Sequence, residues 1–264
     1  MRMTEELWGT SITHASQNKI VTKGYRQDDL IGRVSFAGLV HLLLKGELPT
    51  DAQERMIDAI LAASIDHGVT PPSALAARIV ASGGVPLPTA VAAGLLSIGD
   101  AHGGAIEQCA RLLQEAVQEM RARGTAPAEA AKAAVTEKKA RKERIPGYGH
   151  RLHTADPRTA RLLSLAHELG IAGDHIAVAQ GIEMALGEGG KALPLNVDGA
   201  IAAVISDMGF DWRVGKGFFL IGRSAGLVAH VYEETQRYKP MRRVAIAHCE
   251  YDGPAERDLQ EGRG

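Results

Sequence analysis

The sequence predicts an all-α fold, on three observations. Aromatic residues make up only 4% of the chain, while glycine occurs 30 times and alanine is abundant. That composition lets helices approach closely and lacks the aromatic and β-branched content of a sandwich. About ten segments carry apolar residues at helical spacing, and one stretch at most reads as a hairpin.

The hairpin is SITHASQNKIVTKGY. SFAGLVHLLLKG follows as a helix with Ser35 as N-cap and Gly46 as its stop. DAQERMIDAILAASI repeats the pattern, with Asp51 and Glu54 favouring the helix N-terminus. The Pro71-Pro72 pair starts PPSALAARIVA, and LPTAVAAGLLSIGD is apolar enough to be buried on most sides. AIEQCARLLQEAVQEMRARG is amphipathic, and TAPAEAAKAAVTEKKARKER is alanine-rich with a basic end. DPRTARLLSLAHELG opens with Asp156 as cap and Pro157 in the first turn. DHIAVAQGIEMALGEGG, VDGAIAAVISDMG and the long GKGFFLIGRSAGLVAHVYEETQRY complete the set. No solenoid period is present.

The bulk properties exclude several classes. At 264 residues, 45% hydrophobic and 23% charged, the chain can bury a substantial core. A net charge of −1 gives no global attraction to nucleic acid or an anionic membrane. Cys109 and Cys249 cannot form a disulfide framework, which favours a reducing compartment. No apolar run is long enough to span a bilayer, and MRMTEELWGT has no signal-type core, so the expected location is cytoplasmic.

Chemistry concentrates in three strings: DAHGGA at 100–105, IPGYGHR at 145–151 and LNVDG at 195–199. Each sets an acid/base group (His102, His150, Asp198) in a glycine-rich corner, an arrangement suited to general acid–base chemistry. Asp198 is also placed to cap the helix it precedes. Arg223 lies in an apolar stretch, where an unpaired charge would be costly. Lys138, Arg141 and Lys142 share a helical face. His150 and His153 have HxxH spacing without a third ligand, so no metal site is expected. Gly222–Gly226 fits the GxSxG elbow of a serine hydrolase, but no histidine follows Asp252 to complete a triad.

In order along the chain, DHGVTPPSALAARIVAS, DAHGGA, IPGYGHRLHTADPR, LNVDG and GRSAGLVAH resemble the citrate synthase superfamily. Only about sixteen residues separate GELPT from Asp66, where synthases carry a long helical insert, and Gly199 stands where they usually have an aromatic residue. Both features are most similar to the stand-alone citryl-CoA lyase module, also found within ATP-citrate lyase. His102 points the other way, because synthases carry it and the ATP-citrate lyase module does not.

The resemblance implies a citrate-synthase-like fold with a large helical domain (1–105 and 196–264) and a smaller CoA-binding helical domain (106–195). It implies cleavage of citryl-CoA to acetyl-CoA and oxaloacetate; the alternatives are condensation of citrate or methylcitrate synthase type and a non-catalytic CoA-binding paralogue. His150 would handle the hydroxyl proton, His102 would hydrogen-bond the enolate oxygen, and Asp198 would exchange the proton at carbon. His67, Arg158 and Arg223 would bind the dicarboxylate, with Lys239 nearest the position from which a neighbouring subunit completes the site. Lys142, Arg144, Pro146, Gly147, Tyr148 and Gly149 would meet coenzyme A, which enters as part of the thioester substrate and not as a bound cofactor. The expected partners are an acyl-CoA thioester, a di- or tricarboxylate and at least one further copy of the chain, with neither nucleic acid nor membrane.

Overall fold

A computed structural model of the chain describes residues 9–149, 156–188, 193–243 and 250–257. The hairpin is extended by a third short strand. Strands β1 (Thr13–Ser16), β2 (Lys19–Thr22) and β3 (Tyr25–Arg26) form an antiparallel sheet in sequence order, with Thr13 opposite Thr22 and Val21 opposite Arg26. The other named elements among the described residues are helices: α1 (Gln27–Leu30), α2 (Phe36–Lys45), α3 (Asp51–Ser64), α4 (Pro72–Ser82), α5 (Leu87–Leu96), α6 (Ala105–Arg123), α7 (Pro127–Ala140), α8 (Pro157–Glu168), α9 (Asp174–Gly187), α10 (Val197–Asp207), a 3₁₀ turn at Trp212–Val214, and α11 (Gly215–Arg237).

Local chemistry sets most of the boundaries. Ser35 accepts from the Gly38 amide at 3.0 Å, and Gly46 ends α2 at φ 89°. Thr50 and Gln53 form a reciprocal capping box on α3. Asp156 caps α8 ahead of Pro157. No helix among the described residues is long and apolar enough to cross a membrane.

Helix α10 has nine of its eleven residues buried, and those from Gly199 to Ile205 are all apolar. It therefore runs through the middle of the main core, with α6, α8 and α9 packed around it. Residues of α2 and α3 join that same core. A smaller cluster of Ala77, Ala81, Ala90, Leu227 and Val231 joins α4, α5 and α11.

Small residues fix the seam between α3 and α11. A Cβ on Gly222 would stand 2.7 Å from the Leu61 carbonyl, and one on Gly226 would press into the Ile65 carbonyl. Backbone cannot yield there as a side-chain tip can. Gly226→Ala is expected to destabilise the fold by about 3 kcal/mol or more. Gly217→Ala, on the same helix with nothing within 4 Å, is expected to stabilise by about 0.5 kcal/mol. Urea unfolding of the two variants beside the parent checks the pair.

Candidate active site

The C-terminus of α3 is where the cations gather. Its last carbonyls have no partner within the helix and carry the negative end of its dipole. Arg158 donates through Nη1 to the Ala63 carbonyl at 3.3 Å, and Arg223 donates through Nε to the Ser64 carbonyl at 3.0 Å. Arg223 is 2% exposed and stacks over the Phe219 ring at 4.8 Å, so α11 delivers it fully desolvated. Arg158 is not an uncommitted cation: Asp156, itself buried, takes its Nε at 3.0 Å and its Nη2 at 2.8 Å as a fork. That pair fixes the plane of the guanidinium and offsets the charge it brings to a ligand.

His102 comes from the turn before α6. Gly103 sits at φ 82° against Phe219 and Ile98, where a Cβ would overlap both, so the HGG string is a tight corner packed on α11. His102 Nε2 lies 2.8 Å from Ser73 Oγ, and Arg223 Nη1 approaches the same oxygen at 3.5 Å. Arginine can only donate, so Ser73 accepts from it and its hydroxyl keeps a hydrogen to give His102 Nε2. With that bond made, the neutral ring carries its proton on Nδ1. Burial, followed by the nearby Arg223 and His67, pushes His102 below the ordinary histidine range and keeps it neutral.

Asp198 is the second residue of α10. It is not the cap expected from LNVDG: Asn196 has that role, its Oδ1 accepting from Gly199 N at 3.1 Å. The shift in register has a cause in the IPGYG turn. Gly149 N donates to the Pro194 carbonyl at 2.7 Å, Asn196 N donates to the Gly147 carbonyl at 3.0 Å, and Asn196 Nδ2 donates to the Gly149 carbonyl at 2.8 Å. This miniature antiparallel ladder around the Tyr148–Leu195 bridge seats Asn196 at the cap and leaves Asp198 facing the cavity. Burial raises the Asp198 carboxyl to about 6, with Arg158 and Arg223 opposing and Asp156 adding to the rise.

One cavity of about 710 Å³ collects these groups: His67, His102, Arg158, Asp198 and Arg223 all line it, and Gly149 stands at its edge. His150, the next residue, lies outside the described residues, as does His153. Among the remaining expected residues, Gly147 is buried against Cys109 and Gly199, and Tyr148 donates its hydroxyl to the Ala179 carbonyl at 2.8 Å. Pro146 is half-buried beside them, while Lys142 and Arg144 are exposed. The expected common face of Lys138, Arg141 and Lys142 does not form. Helix α7 stops at Ala140, Lys142 turns to φ 56°, and Lys138 and Arg141 are paired with Glu143 and Glu137. Lys239 is exposed just beyond α11 and does not line this cavity.

The GxSxG reading fails on geometry. Ser224 sits inside α11 and donates to the Leu220 carbonyl at 2.6 Å, so there is no strand-to-helix elbow. No cluster of metal-ligating side chains occurs among the described residues. Sequence reasoning missed Ser73, Asp156 as the partner of Arg158, and Phe219. Ser73 looked like an ordinary polar residue at a helix start, and its partners lie 29 and 150 positions away.

Known proteins match along most of this length. The solved citryl-CoA lyase of Hydrogenobacter thermophilus shares 48% identity and a TM-score of 0.89, over 96% of this chain and 98% of that one. An ATP citrate lyase of Methanosaeta concilii, solved in complex with (3S)-citryl-CoA, shares 25% identity and a TM-score of 0.82, over 97% of this chain and 43% of that one. The citrate synthase of Haloferax volcanii is 33% identical over 212 residues, which is 76% of this chain and 52% of that protein. The probable ATP-citrate synthase of Dictyostelium discoideum is 28% identical over 86% of this chain and 36% of its own length. The chain thus spans between a third and about half of these two curated relatives. The profile for the citrate synthase C-terminal domain matches residues 51–244. That match takes in every cavity-lining group described above, and the chain belongs to the citrate synthase family.

Proposed function

We propose that the chain is a citryl-CoA lyase, cleaving citryl-CoA or a close analogue to acetyl-CoA and oxaloacetate. The observation that carries this reading is one cavity lined by both Asp198, whose carboxyl burial pushes up, and His102, whose imidazole burial pushes down. Citryl-CoA needs both an acid for carbon and a neutral donor for oxygen. His150 takes the proton of the tertiary hydroxyl, and the alkoxide collapses to the ketone of oxaloacetate. The carbon–carbon bond breaks, and its electron pair passes into the thioester as an enolate. His102, through Nδ1–H, hydrogen-bonds the enolate oxygen, and Asp198 protonates its carbon to give acetyl-CoA. Arg158, Arg223 and His67 hold the carboxylates of the oxaloacetate half, with Arg158 fixed in plane by Asp156. The IPGYG turn and its flanking cations receive coenzyme A. Residues 106–195 would close as a smaller domain over the cavity and exclude water from the enolate. A neighbouring copy would complete the carboxylate site through Lys239.

Incubation with citryl-CoA is expected to release oxaloacetate, followed by coupled reduction to malate. His102→Ala is expected to lower kcat/KM by about 10²–10³. Failure of the parent protein to release oxaloacetate from citryl-CoA would reject the lyase reading. Condensation remains the second reading, and the presence of His102 favours it. The same groups catalyse carbon–carbon bond formation in reverse, which yields citryl-CoA and no thiol. Thiol appears only when water then cleaves that thioester, so thiol release from acetyl-CoA and oxaloacetate, at a rate exceeding cleavage, would assign the chain to synthesis.

A further inference from the structure

The GLVAH part of the family motif contains a histidine that the mechanism above does not use. His230 lies on α11, two turns beyond Arg223, and is buried. Its Nε2 is 2.9 Å from Asp66 Oδ1, and its Nδ1 is 3.2 Å from Arg78 Nη1. These neighbours fix the proton of the ring. A guanidinium offers hydrogens and accepts none, so Nδ1 must be the acceptor; a carboxylate accepts, so Nε2 must carry the hydrogen. His230 is thereby a neutral Nε2–H tautomer.

Both ends of this line are anchored. Arg78, buried on α4, lies 2.8 Å from Glu234 Oε2, an ion pair too skewed for a hydrogen bond, and Glu234 is met from its other side by Arg242 at 3.2 Å. At the cavity end, Asp66 Oδ2 accepts from the Gly68 amide at 2.9 Å. Burial works against ionisation of Asp66, but the Gly68 amide, His230 and the His67 amide outweigh it and hold the carboxyl below its ordinary range. The Asp66 carboxylate therefore gathers the turn from which His67 enters the cavity.

We propose that His230 is a positioning residue for the dicarboxylate end of the site: clamped by Arg78, it holds Asp66 and so sets the turn that presents His67 to the ligand. The role rests on the cavity being the site of the proposed reaction. It assigns to α11 a second task besides delivering Arg223, and it joins the segment carrying Arg242 to the substrate pocket through Glu234, Arg78, His230 and Asp66.

The test titrates the full chain with oxaloacetate and, separately, with coenzyme A. It compares the parent with His230→Leu, His230→Gln and Asp66→Asn. Leucine removes both hydrogen bonds, whereas glutamine restores a donor and an acceptor. Asp66 is partly exposed, so its variant is expected to fold even if His230→Leu does not. His230→Leu and Asp66→Asn are expected to weaken oxaloacetate binding by about tenfold or more, with coenzyme A affinity within about twofold of the parent. His230→Gln is expected to recover most of the loss, and nitrogen NMR of His230 to report Nε2–H. Equal weakening of both ligands, a glutamine variant no better than leucine, or an Nδ1–H ring would overturn the proposal. A parent that binds oxaloacetate and responds to these substitutions, yet does not turn over citryl-CoA, would sink the lyase reading while leaving this role intact.

Discussion

Asp198→Asn is expected to lower kcat/KM for citryl-CoA by at least about 10³ and to make the protein more stable at neutral pH. The two effects share one cause. The native carboxyl keeps its proton to about 6, against 3.8 for an unperturbed aspartate. Between those values the unfolded chain has released the proton and the native chain still holds it, so stability falls as pH rises through the interval. The gap of about two units corresponds to roughly 2–3 kcal/mol of native stability that is present below pH 4 and absent above pH 6. Asparagine cannot ionise and escapes that loss. Urea unfolding is expected to find the variant about 2 kcal/mol more stable than the parent at pH 7 and nearly equal to it at pH 4. A gain of the same size at both values would mean that packing, and not ionisation, is responsible. The reaction takes up no net proton, so the ratio of kcat/KM for cleavage and condensation is independent of pH. Any limb that Asp198 imposes near pH 6 must therefore appear in both directions by the same factor.

Much of this arrangement was legible where the controlling interaction is local. Ser35, Gly46, Asp156 and Pro157 mark their helix ends in the sequence because a cap reaches only two or three residues. The apolar run LPTAVAAGLLSIGD reads as buried on most sides, but α5 buries only Ala90 and Gly94 and leaves Leu87 and Leu96 exposed, because among the described residues only α4 and α11 cover it; the buried central helix is α10. What could not be read depends on distant partners. Asn196 and Asp198 are both good caps, and the choice between them was made by hydrogen bonds that Asn196 donates to the Gly147 and Gly149 carbonyls, nearly fifty positions away. The basic run looked helical to its end, because nothing in a lysine announces the positive φ that Lys142 adopts. The resemblance implies that Arg158 binds a carboxylate, but nothing in the sequence marks its capping aspartate as the group that holds its plane.

The contact between Gly147 and Gly199 supports the second large expectation. At Gly147, φ is 84°, and a Cβ there would stand 2.8 Å from Cys109 Sγ and 2.8 Å from the Gly199 Cα. The positive φ alone costs an alanine about 1–2 kcal/mol. The sulfur can turn aside; the backbone of α10 cannot without moving Asp198. Gly147→Ala is therefore expected to destabilise by about 3 kcal/mol or more and, in the molecules that remain folded, to lower kcat by about 10². The loss arises because the ladder that seats Asn196 and Gly149 must shift. Gly124 separates the two costs: it has φ 66° and nothing within 4 Å, so Gly124→Ala is expected to lose only about 1 kcal/mol with kcat unchanged. Adding Cys109→Ala to Gly147→Ala removes the sulfur and leaves the backbone contact, so part of the stability is expected to return without the activity. If Gly147→Ala proved no worse than Gly124→Ala in either measurement, the close approach of the turn to α10 would not be what fixes the Asp198 carboxyl.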